Sequence, residues 1–576
     1  MTLAREKGTG ETSQASSQSL HPLVDVLKRR LWLLIILPYI AGAVWTLAYP
    51  IVSIVTGELK CRGWFIDENS LDAGSFRYNS KFLPPRKGAG VASMCQAIAQ
   101  VSRSDDNVEC YNHDGTFDVA KLVPISNAVT PVSESIVIVI PSSEEWFASA
   151  FHNAMLQFTK HLATSSSSPW LAKTILLVSP SSNLTIAETV SSFLDSFLGV
   201  ADGSTLMLPP SYTTAMIRNL IVLDVRADTA GAPLNEVLVM PQGRRGVLPN
   251  MDLVFLFMSV YSRANFMDQR RYETNFLVHP YATASVRWRK WVASHVPAQL
   301  RGWISELGDL ALFARTLAVG PYAAHAPALE RGIDSLTLQI RFTGRSSPVG
   351  TEFILEVFQW LEGIVRALSN LHERLHHSMS QYLMPSPSKF VSHSEYLTSH
   401  VVLILPLVVR ALSLIFWDIE TFDLKSITAV ALIWTVALGL HEVSTFLELA
   451  QMNLLLVFIY GSIPLACRFL SSKQPSTHQS LHFLTCVAAV YAFVPLILGN
   501  VALAFPSAVL FTPLIAMLSH ELQGVRQSIV MPSILIITWP PVLMLGIFGY
   551  YSSYITMVYI PLHLLLCVLW QLKVRL

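Results

Sequence analysis

His372-Glu373-Arg374-Leu375-His376 satisfies H-E-x-x-H, the sharpest chemical pattern in the sequence. Two histidines four residues apart on a helix can share one zinc ion, and the glutamate between them can activate its water. Glu395, nineteen residues after His376, stands at a spacing that suits a third ligand. Read this way, the chain is a polytopic membrane zinc metalloprotease. Two features oppose that reading. Pro385 and Pro387 interrupt the path to Glu395. Both histidines also continue the apolar stripe of a long amphipathic helix, where packing explains them equally well.

Other catalytic signatures are missing from the sequence. It contains no G-x-S-x-G elbow, no Walker A loop and no G-x-G-x-x-G turn. A two-zinc centre needs carboxylates and histidines converging at strand ends. Pro141-Ser-Ser-Glu-Glu145 follows one expected strand, and Asp224 and Asp228 flank the end of another. Ser179-Pro-Ser-Ser-Asn183 follows a third and is free of acid. Catalysis by that region is not expected. Ionisable groups inside apolar segments are costly and therefore informative. Arg410 and His563 lie inside such segments, and His520-Glu521 lies at a boundary. A transporter using Arg410 and His563 would leave a domain of more than 300 residues unexplained, and no internal repeat supports it. Pro561 removes a backbone donor inside the last segment, which predicts a kink and a freed carbonyl at Met557.

The elements that must position these residues follow from charge and hydropathy. The chain has 576 residues, of which 52% are hydrophobic and 14% charged. Only 13 of the 79 Asp, Glu, Lys and Arg residues fall in 397–576. Such depletion marks a membrane-embedded C-terminal third behind a water-facing portion. With 40 basic and 39 acidic residues, no global field favours nucleic acid.

Residues 1–30 form a cytosolic N-terminus, whose Ser-, Thr- and Gly-rich start reads as disordered. Lys28-Arg29-Arg30 then gives way to an uncharged run, 31–55, long enough to span a bilayer. A signal peptide cleaved at Ala41-Gly42-Ala43 is the rival reading, but the apolar run continues twelve residues past Ala43. Seven further spans are expected near 397–417, 427–441, 449–467, 481–499, 501–518, 530–549 and 553–572. Eight spans place both termini on one side. The positive-inside rule agrees, because Lys28–Arg30, the Arg468/Lys473 loop, Arg526 and the Lys573/Arg575 tail share that side. Both termini are thus expected in the cytosol and 56–396 in the lumen of the endoplasmic reticulum.

Residues 56–350 read as a luminal α/β domain. Ile136–Ile140, Thr174–Val178, Leu220–Val225 and Leu336–Phe342 are β-branched or apolar runs, with helical patterns at Glu144–His161 and Ile186–Leu198 between them. This alternation predicts a mainly parallel sheet covered on both faces. Residues 351–396 form an amphipathic helix and connector. Ile354, Phe358, Leu361, Val365 and Leu368 make its stripe, with Glu356, Glu362, Arg366 and Glu373 largely off it. It lies on the membrane surface or against the domain. Asn183-Leu184-Thr185 is a glycosylation acceptor tripeptide. An oxidising lumen permits one bridge among Cys61, Cys95 and Cys110, of which Cys95–Cys110 is one pairing, and no C-x-x-C pair exists.

This layout resembles the GPI anchor attachment protein 1 family, subunits of the glycosylphosphatidylinositol (GPI) transamidase complex. Gly246-Val-Leu-Pro-Asn-Met-Asp-Leu-Val254 is similar to the family's G-x-L-P-N-x-D-L segment, and Ile333-Asp-Ser-Leu-Thr-Leu338 to its E-A-L-T-L strand. Phe358-Gln-Trp-Leu-Glu-Gly363 and Leu371-His-Glu-Arg-Leu-His376 resemble its L-E-G…L-x-E-R-L-H helix, and Glu68-Asn69 its S-E-N segment. The family pattern E-R-L-H requires no preceding histidine, so His372 reads as an accidental completion of the zinc motif.

The resemblance implies a zinc-aminopeptidase-like luminal fold without its metal, and no cofactor. It implies a non-catalytic subunit that helps bind the GPI lipid and assemble a complex attaching GPI to precursor C-termini. Its implied partners are a cysteine-protease-like catalytic subunit, other membrane subunits, the GPI lipid and precursors carrying a C-terminal signal. A proline in the family's last span is associated with GPI recognition, and that role is carried to Pro561, the single proline of this span. Tyr559 and His563 beside it, and Arg410, complete the expected lipid-binding set.

Overall fold

The structure, a computed structural model, describes residues 30–51, 76–77 and most of 93–575. The main stretches outside the description are 102–107, 125–133, 143–149, 200–206, 229–234, 264–273, 344–347, 371–379, 471–474, 517–531 and 541–553. The chain divides into two compact units, Ala48–Glu395 and the part up to Leu47 joined with Tyr396–Leu576. Helix α1 (Leu31–Leu47) belongs to the second.

The first unit is built on eight strands, β1 (Val108–His113), β2 (Phe117–Leu122), β3 (Glu134–Val139), β4 (Thr174–Pro180), β5 (Met216–Asp228), β6 (Asn235–Met240), β7 (Thr274–Leu277) and β8 (Asp334–Thr343). Their order in the sheet is β1-β2-β4-β3-β5-β8-β6-β7. The four strands expected from sequence are the four adjacent central ones, and they run parallel, with Val137 beside Leu176 and Leu220, and Ile221 beside Leu336. They were legible because both faces are covered. Val137, Val139, Leu176, Val178, Leu220 and Val222 pack on one side against Val190, Phe193 and Leu194 of a helix at Ile186–Leu198. Ile136, Ile138, Ile175, Leu177 and Ile221 are equally buried on the other. The flanking β1–β2 and β6–β8 pairs are antiparallel. Edge strand β1, Val-Glu-Cys-Tyr-Asn-His, has a single buried residue and no apolar run to announce it.

The helices of this unit are α2 (Met94–Val101), α3 (Ala150–Ala163), α4 (Ile186–Leu198), α5 (Met251–Arg263), α6 (Ala282–His295), α7 (Ala298–Val319), α8 (Ala326–Glu330) and α9 (Pro348–Asn370). A Cys95–Cys110 disulfide ties α2 to β1. Thr185 caps α4. Its hydroxyl accepts the Glu188 N–H while the Glu188 carboxylate accepts the Thr185 N–H, and left-handed Gly199 closes the other end.

Helix α9 packs on α3, α5 and β3 within this unit. Its expected stripe is buried, but so is Glu362, at 0% exposure. The period of the helix placed Glu362 on the polar side. Phe76 covers that side, wedged against Phe158, Phe358 and His161. The buried carboxylate is satisfied there by the Phe76 N–H and by His161 and Arg366. Residues Tyr382–Ser386 and Lys389–Ser392 then form a small hairpin, β9 and β10.

The second unit contains α1, α10 (His393–Ser413), α11 (Leu424–Ser444), α12 (Leu449–Leu470), α13 (Pro475–Gly499), α14 (Val501–Ala516) and the terminal α15 (Ile560–Arg575). Among the described residues, four helical stretches are long and apolar enough to cross a membrane: His393–Trp417, Leu424–Ser444, Ser476–Gly499 and Ile555–Leu572. Leu31–Leu47, Gln451–Ile463 and Val501–Ala516 are shorter apolar helices. The segment expected at 530–549 is described only over 532–540. Small residues allow close packing. A Cβ on Gly42 of α1 would lie 2.7 Å from the Leu403 nitrogen of α10. The Tyr39 hydroxyl donates to the Val509 carbonyl of α14 at 2.8 Å.

Candidate functional site in the last helix

Helix α15 is preceded by one turn of π-helix, Ile555–Tyr559, whose register closes when the Ile560 N–H donates to the Ile555 carbonyl. Pro561, buried, follows directly. Proline has no N–H to continue the ladder, and the wider turn is where the helix absorbs that interruption. The irregularity next to Pro561 is a π turn at Ile555–Tyr559.

Tyr559 and His563 lie one turn apart on the same face, with rings stacked at 6.1 Å and an interplanar angle of 13°. Both are buried, at 5% and 1% exposure. The Tyr559 hydroxyl donates to the Thr538 carbonyl at 2.7 Å. His563 Nε2 lies 3.3 Å from Thr538 Oγ1 and 3.2 Å from the Leu535 carbonyl, while Nδ1 lies 2.9 Å from the Tyr460 hydroxyl. A carbonyl can only accept, so Nε2 carries the proton and Nδ1 accepts from Tyr460. Trp539 packs edge-on to Tyr460 at 6.2 Å, and its buried Nε1 has no hydrogen-bond partner among the described residues.

The same turn is held from other helices. Thr556 Oγ1 lies 3.0 Å from His441 Nδ1 of α11, and the Tyr554 hydroxyl bonds Ser507 of α14. The ring of Phe511 meets Tyr559 at 5.1 Å. Side chains from α11, α12, α14 and the 532–540 segment therefore converge on the π turn. Sequence reading found Pro561, Tyr559 and His563 but missed Tyr460, Thr538, His441 and Ser507. The available signal was a hydroxyl or imidazole inside an apolar run, and serine, threonine and tyrosine are too common in such runs to stand out.

Arg410 belongs to α10. It is 8% exposed and donates to Ser413 Oγ at 3.3 Å, and no described hydrogen bond joins it to the other three expected lipid-binding residues. Asn183 lies outside the described residues, although Thr185 of the same tripeptide is the α4 cap. The His372–His376 motif also lies outside them, and Glu395 stands in the first turn of α10. Among the described residues, no three His, Cys, Asp or Glu side chains gather closely enough to hold a metal ion.

The first unit has a cleft of about 420 Å³ beside the carboxyl ends of the central strands, lined by Asp224, Gln339, Arg341, Tyr322 and the start of α4. The Gln339 amide donates to Asp224 at 2.7 Å and accepts from Arg341 at 2.9 Å, so the one carboxylate of this lining is engaged by an amide. His325, next in the chain to the lining residues Ala323 and Ala324, is fully buried. Burial pushes its pKa down to about 3, although Nε2 faces the Pro241 carbonyl at 3.4 Å.

A family model described as Gaa1-like, GPI transamidase component, matches residues 129–564. The match takes in the central sheet, α9 and the helices through the π turn, Pro561 and His563.

Proposed function

This chain belongs to the Gaa1-like family of GPI transamidase components, and from that premise we propose that it is a non-catalytic subunit that holds the GPI lipid at the π turn before Pro561. Membership makes it a component of the transamidase complex and a membrane protein. The lipid-holding role rests on one observation: imidazole and hydroxyl groups of Tyr460, Thr538, Tyr559 and His563 are gathered around an irregular turn that Pro561 follows directly. Polar groups in a bilayer interior are expensive and gather where a ligand or a conformational need retains them. An incoming phosphate oxygen would replace Thr538 as the acceptor at Nε2, and a sugar hydroxyl would replace Tyr460 as the donor to Nδ1 of His563. Arg410 supplies a separate cation on α10.

In this reading the sheet unit is a zinc-aminopeptidase-like fold without its metal ligands, and it faces the lumen of the endoplasmic reticulum. Its Cys95–Cys110 bridge suits an oxidising compartment. About eight spans hold it there, with both termini in the cytosol. Bond cleavage and transfer to the GPI ethanolamine belong to a cysteine-protease-like partner. Purification of the tagged chain in mild detergent, followed by mass spectrometry, should recover that protease with other membrane subunits. Recovery of the chain alone with stoichiometric zinc would overturn the proposal and make His372–His376 the active site.

A further inference from the structure

From Thr274 to Ser305 the sequence has no Asp or Glu, yet it carries Arg287, Arg289, Lys290 and Arg301. These residues fall on α6 and the first turn of α7, which meet at Pro297. The inner side of this corner is firmly packed. Trp288 lies flat over Gly308, where a Cβ would come within 2.0 Å of the indole nitrogen, and Nε1 donates to the Ile304 carbonyl at 3.0 Å. Ser285 and Arg289 both bond the buried Asp309 carboxylate, which absorbs the charge of Arg289.

The outer side is different. Arg287, Lys290, Trp291 and His295 share one exposed face of α6, and exposed Leu300 and Arg301 continue it on α7. Trp291 is 49% exposed and stacks between Trp288, at 5.3 Å, and His295, at 5.1 Å, both within 16° of parallel. A rigid aromatic column thus leads from the packed interior to the surface and emerges among cations.

We propose that this corner is an interfacial anchor that rests on a bilayer surface bearing anionic headgroups. The indole of Trp291 and the side chain of Leu300 supply apolar area at headgroup depth, and Arg287, Lys290 and Arg301 reach phosphates with their stems along that surface. Charge selects the occupant, since a corner carrying Arg287, Lys290 and Arg301 around an exposed indole complements the phosphates of lipid headgroups. Chain connectivity supplies the opportunity. The unit is joined in the chain to the apolar helix α1 at one end and to α10 at the other.

The test uses the full chain, purified with the subunits that accompany it and reconstituted in nanodiscs of phosphatidylcholine and phosphatidylserine. Benzoylphenylalanine replaces Trp291, keeping an aromatic ring there, or Trp32, an exposed position on α1 that serves as the lipid-facing control. Irradiation should give phospholipid adducts at both positions. The paired changes Arg287→Glu and Lys290→Glu should lower the adduct at position 291 roughly tenfold and leave that at position 32 unchanged. A protein adduct at 291, which would reveal an acidic subunit surface as the occupant, overturns the proposal. So does the absence of a lipid adduct at 291 when position 32 gives one, or a yield at 291 that the charge reversals do not change.

Discussion

The Glu362 carboxylate, wholly buried on α9, accepts the backbone N–H of Phe76 at 2.8 Å across 286 positions of sequence. Gln359, one turn earlier, donates to the Phe76 carbonyl at 3.2 Å, so both backbone groups of that residue are engaged by one helix. The Phe76 ring fills the space between Phe158, Phe358 and His161. Phe76→Ala should therefore destabilise the chain by about 3–5 kcal/mol, the range for losing a large buried aromatic. Glu362→Ala, which strands the Phe76 N–H and His161, should cost about 3 kcal/mol. Thermal unfolding of the purified protein measures both. A loss below about 1 kcal/mol for either would show that Phe76 is not held as described.

Gly42 lets α1 approach α10 closely, because any Cβ there meets the Leu403 backbone at 2.7 Å. Gly42→Leu should separate these helices and lower stability in detergent by about 2 kcal/mol, as overpacking does. A change of Leu47→Ala at an exposed position of the same helix should have little effect. Equal melting of the two variants would exclude the contact.

The acceptor tripeptide at Asn183 separates two roles. Asn183→Gln and Thr185→Ala should each abolish glycosidase-sensitive mass at this position. Thr185→Ala alone should also cost about 1 kcal/mol, through loss of the α4 cap. An unchanged mass in both variants would mean that the tripeptide is not used, while the stability difference would still test the cap.

His325 should make the sheet unit sensitive to acid. It is neutral when folded, with a pKa of about 3, against an ordinary 6.5. The unfolded chain therefore binds the extra proton, and stability present above pH 6.5 is lost as pH falls toward 3. At pH 5 the loss is about 2 kcal/mol. His325→Gln should flatten this part of the pH–stability curve. An undiminished slope would assign the acid sensitivity elsewhere.

The central strands were legible because burial on both faces requires uninterrupted apolar runs, as in Ile136–Ile140. The edge strands were not, since β1 owes its pairing to β2 and carries no apolar pattern of its own. The matched segments gain physical reasons in the fold. The Asn250 N–H donates to Asp334 at 2.9 Å, so the Gly246–Val254 and Ile333–Leu338 segments meet. In Phe358–Gly363, Trp360 donates to the Phe257 carbonyl, and Gly363 leaves room for Val260. Glu362 was read as lying largely off the apolar stripe, and a helical period cannot foresee that Phe76 covers it. Around Pro561, the sequence pointed to an interrupted helix but not to the π turn or its partners, which arrive from four other segments.

The most direct test compares GPI lipid recovered with the complex from wild-type and Pro561→Ala protein, each normalised to the subunits that co-purify. Restoring an N–H at this position lets the helix close without the π turn and should lower bound GPI severalfold while leaving subunit recovery unchanged. GPI recovered in the wild-type ratio from an intact Pro561→Ala complex would contradict lipid recognition at the last helix.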